Sequence, residues 1–418
     1  MQPGDRVAVV TEQEELEGTL MPEQQGYFVL KLDTGYNLAF KKKTIKKVDV
    51  VQPRQAQKDA KEKIKQQKGL PTISILHTGG TVASKVDYKT GGVISRFTPE
   101  EVLDMFPDLK EIANINSRLL RNMWSGDMRT EHHNLIAEEV AKELNKTDGV
   151  IITHGTDTLH YTAAALSFIL QKLSKPVIVV GCQRSSDRAS TDAGLNLQAA
   201  AQIIAQTKWT GVGICMHENE NDDVCVLLPG AQTRKMHSSR RDAFKPINAQ
   251  PIARIRPKNK SITFTTELSP GSKAAIEVKP IKPLKVGMLY TYPGITSKEI
   301  QNYKGYDGLV LVGTGLGHFP VDKIDEFTEE NEKVWQAIKD LAKDTVLCMS
   351  TQTIYGETNM NVYQYGRRLQ EAGVTGVTHS MPPETAWVKL CWLLSHHAKD
   401  EAKKLFTINL VGEIPPRL

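Results

Sequence analysis

The sequence is poor in the features that mark several protein classes. Its 418 residues include five cysteines, Cys182, Cys215, Cys225, Cys348 and Cys391, far apart and without a C-x-x-C pair. An odd, scattered set excludes a disulfide framework, and runs such as VIVVGC and WVKLCW read as reduced core positions in a reducing compartment. No apolar run approaches the roughly 18 residues that a membrane span needs. The stretch Met1 to Val9 lacks the charged-then-apolar pattern of a secretory signal, so a cytoplasmic protein without membrane contact is expected. Net charge is small, 53 Lys and Arg against 48 Asp and Glu, or +5. That balance excludes a disordered polyanion and a strongly basic nucleic-acid coat. H-E-x-x-H and G-x-x-x-x-G-K-[ST] are missing, and GTGLGHF (Gly313 to Phe319) lacks the G-x-G-x-x-G spacing. No metal and no cofactor of its own is therefore expected in this chain.

What is present divides the chain. At about 150 residues per domain the length predicts two or three domains. Residues 1–51 run as short alternating segments, RVAVVT, LEGTLM, YFVLKL, YNLAFK and IKKVDVV, separated by turn residues. This pattern predicts a small β-barrel module. Residues 52–70 form a basic linker, and Lys41 to Lys68 hold eleven cations against three acids, a local +8 hidden by the modest total. A second such cluster, nine cations against one acid, spans Arg234 to Lys260. A basic stretch of this kind is more often solvated surface than a nucleic-acid site. From Pro71 apolar runs (TISIL, GVIIT, VIVVG, GVGICM, VCVLL) alternate with helical segments. That alternation predicts a mostly parallel sheet over 71–257. A polar, Pro-containing connector (258–283) leads to a smaller α/β domain (284–418), so the expected class is α/β throughout after the β module.

Two segments place hydroxyls and glycines directly after a buried-looking strand: TISILHTGGTVAS (Thr72 to Ser84) and GVIITHGTDTLHYTAAAL (Gly149 to Leu166). Carboxyl ends of parallel strands line a ligand crevice, so both loops should meet at one site. Gly79 and Gly80 permit close backbone approach, and amides exposed there can hold a developing oxyanion. Alone, each segment reads as a strand-to-helix turn with Thr156 or Asp157 as a cap. Together they argue for chemistry. His77, His154 and His160 flank the motifs, but no pair has metal-ligand spacing on a helix face.

The motifs HTGGTVAS and ITHGTDTLHYTA resemble those of the L-asparaginase/glutaminase amidohydrolases, and the resemblance runs from about Pro71 to the C-terminus. It implies an asparaginase-like pair of α/β domains, the second Rossmann-like, with a Thr nucleophile at Thr81. It further implies a Thr-Asp pair at Thr156 and Asp157 and a catalytic lysine at Lys235 in GAQTRKMHSSRRDAF. Ser125 in MWSGDM falls at the substrate-carboxylate position beside Gly126, Gly80 lies in the first motif, and Tyr88 lies in the stretch that forms the family's mobile active-site loop. These residue types suit amide hydrolysis. A hydroxyl attacks a poor electrophile, an acyl-enzyme splits the reaction in two, and the hydroxyl needs a base within reach. Lys235 can be that base only in its uncharged form, with Thr156 and Asp157 orienting it. Tyr88 is the alternative base, and spacing does not decide between them. Asp157 could also pair with the α-ammonium of an amino-acid substrate.

Two departures separate this chain from simple asparaginases. Gly126 stands where they carry Gln, and Asn359 stands near the place of a Glu contributed by a neighbouring protomer; both predict a wider pocket suited to glutamine. The β module and basic linker, with STQTIYGETNMNVYQYGRRL and THSMPPETAWVKL, resemble the D subunits of archaeal glutamyl-tRNA(Gln) amidotransferases over the whole chain. That resemblance implies glutamine hydrolysis that feeds ammonia to a partner, the E subunit, which uses ATP and Mg2+ to convert Glu-tRNA(Gln) to Gln-tRNA(Gln). It also implies that the tRNA is held mainly by the partner, and a homodimer within a D2E2 complex. The competing expectations are a free asparaginase/glutaminase with an appended domain and a non-enzymatic scaffold, the latter disfavoured by the presence of Thr81, Thr156, Asp157 and Lys235 together.

Overall fold

The computed structural model describes every residue except 25, 34–35, 54–65, 81, 83, 87–92, 96–97, 187–189, 269–270 and 415–418. Most of the basic linker and two expected site residues, Thr81 and Tyr88, thus lie outside the described residues.

The alternating N-terminal runs become five strands in one antiparallel sheet. Their order is Asn37–Lys41, Tyr27–Lys31, Glu15–Gln24, Arg6–Thr11, Ile45–Gln52. Because side chains alternate along a strand, Val7 and Val9 point inward with Leu20, Phe28 and Leu30 to make a core separate from the rest.

The large sheet has eight strands, in the order Ser261–Phe264, Ala253–Arg256, Cys225–Pro229, Gly211–His217, Pro176–Val180, Gly149–Thr153, Thr72–His77, Asn114–Leu119. The last five in this order pair in parallel and the first three extend the sheet antiparallel. The parallel strands are apolar on both faces because helices cover both. Ile73, Ile75, Ile151, Ile178 and Cys215 face the Ala193–Gln206 helix. Val150, Ile152, Val177, Val179 and Ile214 face Thr130–Leu144 and Leu159–Ile169. The strand Ser261–Phe264 lies inside the stretch expected as connector. Its alternate residues are only half covered at the sheet edge, which leaves the segment polar enough to read as a loop.

In the C-terminal half, Val286–Tyr290, Gly308–Gly313 and Val346–Thr351 pair in parallel in chain order. Helix Glu329–Leu341 covers one face and helix Pro383–His396 the other. The second of these is buried nearly all round, as a helix between layers must be. It packs its own sheet and also the Leu159–Ile169 helix of the large sheet, with Phe168 and Trp392 ring centroids 5.9 Å apart. One core therefore runs through both halves. All five cysteines are buried. Among the described residues no helix is long and apolar enough to cross a membrane.

Candidate active site

Numbered along the chain, the five parallel strands stand in the order 2-1-3-4-5. Chain direction across the sheet reverses between strand 1 (Thr72–His77) and strand 3 (Gly149–Thr153), and such a reversal opens a crevice at the carboxyl ends. Both sequence motifs leave from these two strands. Their loops are joined where the strands end: the Thr78 amide and hydroxyl both donate to the Thr153 carbonyl, at 3.1 and 3.0 Å. Gly79 and Gly80 take φ of 111° and 80°, the left-handed region that favours glycine. A Cβ on Gly79 would stand 2.3 Å from the Met123 carbonyl oxygen, and one on Gly80 2.8 Å from the Gly155 nitrogen. The glycines are what let the three loops 78–80, 123–126 and 154–158 close on one another.

Ser125 sits in the second of these loops, 5% exposed, and its carbonyl accepts from the Thr158 hydroxyl at 2.6 Å. A Cβ on Gly155 would meet the Ser125 hydroxyl at 2.9 Å, so Ser125 lies against the HGTDT turn. Gly126 has a local reason to be glycine that its spacing did not reveal. A Cβ there would come within 2.9 Å of the indole of Trp124, itself 69% exposed.

Lys235 arrives from a fourth element, a short hairpin of Thr233–Lys235 with Phe244–Pro246. Phe244, buried beneath it, meets His160 edge-on at 6.4 Å between ring centroids and anchors the hairpin to the Leu159–Ile169 helix. The Lys235 ammonium donates to Thr156 Oγ1 at 2.9 Å and to Asp157 Oδ1 at 2.8 Å. The lysine side chain is 10% exposed and the Asp157 side chain 54%. The pair therefore stands at the mouth of the crevice, with the lysine held in and one carboxylate edge open to a ligand.

The flanking histidines brace this region. His154 is buried and held down to about 4 by desolvation. Neutral, it donates from Nδ1 to the Gly155 carbonyl at 2.7 Å and accepts the Thr162 hydroxyl at Nε2, 2.8 Å away. His77, held down to about 3 by burial, bonds Thr153 and Ser117 through its two ring nitrogens. His160 is likewise held to about 3, first by burial and then by the nearby charges of Arg234 and Lys235. Among the described residues no three His, Cys, Asp or Glu side chains converge on a point where a metal could bind.

Sequence reading missed Glu384, the second residue of the Pro383–His396 helix. Its carboxylate, 6% exposed, pairs with Arg234 at 3.0 Å, next to Lys235 in the chain. It lies 149 positions from Lys235 in the chain, and no local pattern marks it.

Comparison with known proteins matches three regions of the chain. Residues 1–51 match the GatD N-terminal domain, residues 72–269 the asparaginase N-terminal family and residues 285–406 the glutaminase/asparaginase C-terminal domain. The D subunit of glutamyl-tRNA(Gln) amidotransferase from Pyrococcus furiosus is 42% identical over 427 aligned positions, covering 99% of this chain and 95% of its own. That of Archaeoglobus fulgidus is 41% identical with the same coverage. The chain belongs to this family of amidotransferase D subunits. Its asparaginase-like part is similar to two solved structures. L-asparaginase from Thermococcus kodakarensis gives a TM-score of 0.73 at 28% identity over 82% of this chain and 99% of that one. L-asparaginase I from Vibrio cholerae gives 0.71 at 29% identity over 83% of this chain and all of that one. Neither neighbour covers the whole of this chain, whereas the D subunits do, which agrees with an asparaginase-like body carrying an extra module.

Proposed function

We propose that this chain is the glutamine-hydrolysing component of a glutamyl-tRNA(Gln) amidotransferase. The reading is carried by one observation, the Lys235 ammonium bonded at once to Thr156 and Asp157 at the switch point of the sheet. Thr81 follows Gly80, on which a Cβ would stand 2.8 Å from the nitrogen of Gly155, one residue before Thr156. This adjacency supports Thr81 as nucleophile. In the proposed reaction the Thr81 oxygen bonds to the side-chain carbonyl carbon of glutamine, the C–N bond breaks, and the hydroxyl proton leaves with the nitrogen as ammonia. Water then cleaves the ester to give glutamate and restore the hydroxyl. Lys235 acting through Thr156 and Tyr88 remain the two candidates for base, while Ser125 and the open edge of Asp157 receive the α-carboxylate and α-ammonium. The loop backbone around Gly80 offers amides to the oxyanion.

The ammonia then passes to an ATP- and Mg2+-using partner, the E subunit, in a cytoplasmic D2E2 assembly that holds Glu-tRNA(Gln) mainly through that partner. Replacing Thr81 by Ala tests the chemistry. Glutamine-dependent amidation should vanish while amidation with added ammonium persists; loss of both would mean a structural role for Thr81.

A further inference from the structure

The catalytic lysine has a rival beside it. Arg234 immediately precedes Lys235, and both line one open cavity of about 430 Å³ together with Asp157, His160, Tyr161 and Glu384. Two cations share this space with two carboxylates, yet the pairing is sorted: Lys235 bonds Asp157 at 2.8 Å and Arg234 bonds Glu384 at 3.0 Å. A guanidinium binds a carboxylate in a fork geometry that an ammonium cannot match, so an unengaged Arg234 would compete for Asp157.

Glu384 is built to prevent that. It comes from the other half of the molecule, at the start of helix Pro383–His396, and its second oxygen, Oε2, is buried with no hydrogen-bond partner among the described residues. The next residue, Thr385, donates its hydroxyl to the Ala231 carbonyl at 2.8 Å, tying the same helix end to the segment that carries Lys235. Burying a carboxylate with one unmet oxygen is unfavourable, and an Arg–Glu pair so placed adds little stability by itself. The arrangement makes sense as placement.

We propose that Glu384 is a positioning residue that holds Arg234 aside, leaving Asp157 to Lys235. The inference rests on the reading of Lys235 as catalytic. It is tested in the intact complex by steady-state glutamine hydrolysis, with ammonium-dependent amidation as the measure of correct assembly. Glu384→Gln should lower kcat by about tenfold or more, with KM within about a factor of two and the ammonium reaction unchanged. The double variant Glu384→Gln with Arg234→Gln, which removes the competing cation along with its partner, should return kcat to within about threefold of the parent, because a neutral pair of similar volume replaces a buried ion pair at little cost.

A parental kcat in Glu384→Gln overturns the proposal. So does a double variant below about a tenth of the parent, and this arm decides the matter even if the single variant does not assemble. Lys235→Met separates the two levels. If it abolishes glutamine hydrolysis while Glu384→Gln does not slow it, only the positioning role falls. If Lys235→Met retains kcat, the reading of the site falls and this inference with it.

Discussion

Both halves of the chain beyond residue 71 are built on parallel strands covered by helices, yet the convergent polar cluster belongs to one of them. The first half places its strands in the order 2-1-3-4-5, and the second in plain chain order, 1-2-3. The reversal in the first opens a crevice between neighbouring strands; a sheet whose strands follow chain order has none. Both halves carry glycine- and threonine-rich loops after strands, HTGGT and HGTDT in one and VGTGLGHF in the other. Strand order, rather than loop composition, decides which of them meet. The second half serves the site from outside, bracing it through Glu384 and Thr385 and through the carbonyls of Gly356 and Ser380, which accept from the Asn248 amide of the first half at 2.9 and 3.0 Å.

A matched pair of glycine substitutions puts this difference to the strongest test. Gly80 and Gly376 both have positive φ, 80° and 93°, and a Cβ on either would stand 2.8 Å from backbone, Gly155 nitrogen in the first half and Met349 oxygen in the second. Each change to Ala should cost about 1–3 kcal/mol of stability. Only Gly80→Ala should also reduce glutamine turnover per folded molecule, by about a hundredfold or more, since it spreads the loops that assemble the site. Equal residual activity in the two variants, measured at a temperature where both are folded, would contradict the assignment of the crevice to the first half.

A second difference between the halves concerns acid. Burial holds His77, His133 and His160 to about 3 and His154 and His379 to about 4, against an ordinary value near 6.5. The unfolded chain takes up protons below about pH 6.5 that the folded chain refuses. The stability these groups confer is therefore intact above that pH and is lost as pH falls towards 4, by up to ~1.4 kcal/mol per pH unit for each histidine. Four of the five belong to the first half and only His379 to the second. Hydrogen exchange at pH 5 compared with pH 7.5 should show protection falling first around Gly149–Ile169. Loss beginning instead in Gly308–Gly313 would reverse the expected order.

Much of this was legible in the sequence because local chemistry and tertiary role coincide. The RVAVVT-type alternation is a half-buried strand, and TISIL and GVIIT are strands covered on both faces. The two hydroxyl-glycine motifs sit where buried strands end, which marked the loop of Thr156 and Asp157, whereas Ser125 and Lys235 were named only through the resemblance to the amidohydrolases. The signal failed where a role is set by distant packing. Glu384 pairs with a residue 150 positions away, and Pro382-Pro383 marks only the start of its helix. Ser261–Phe264 looked like a connector because an edge strand buries half of what a central one does. Gly126 reads as a lost side chain until Trp124 is seen to fill the space.

The central claim is that the crevice hydrolyses glutamine on behalf of a partner, and its most direct test is the turnover of glutamine and of asparagine by the purified chain, alone and then with the E subunit and Glu-tRNA(Gln). Slow glutamine hydrolysis is predicted for the isolated chain, rising when the partner and charged tRNA are added. Equal glutamine turnover with and without them, or fast asparagine turnover by the chain alone, would contradict the claim.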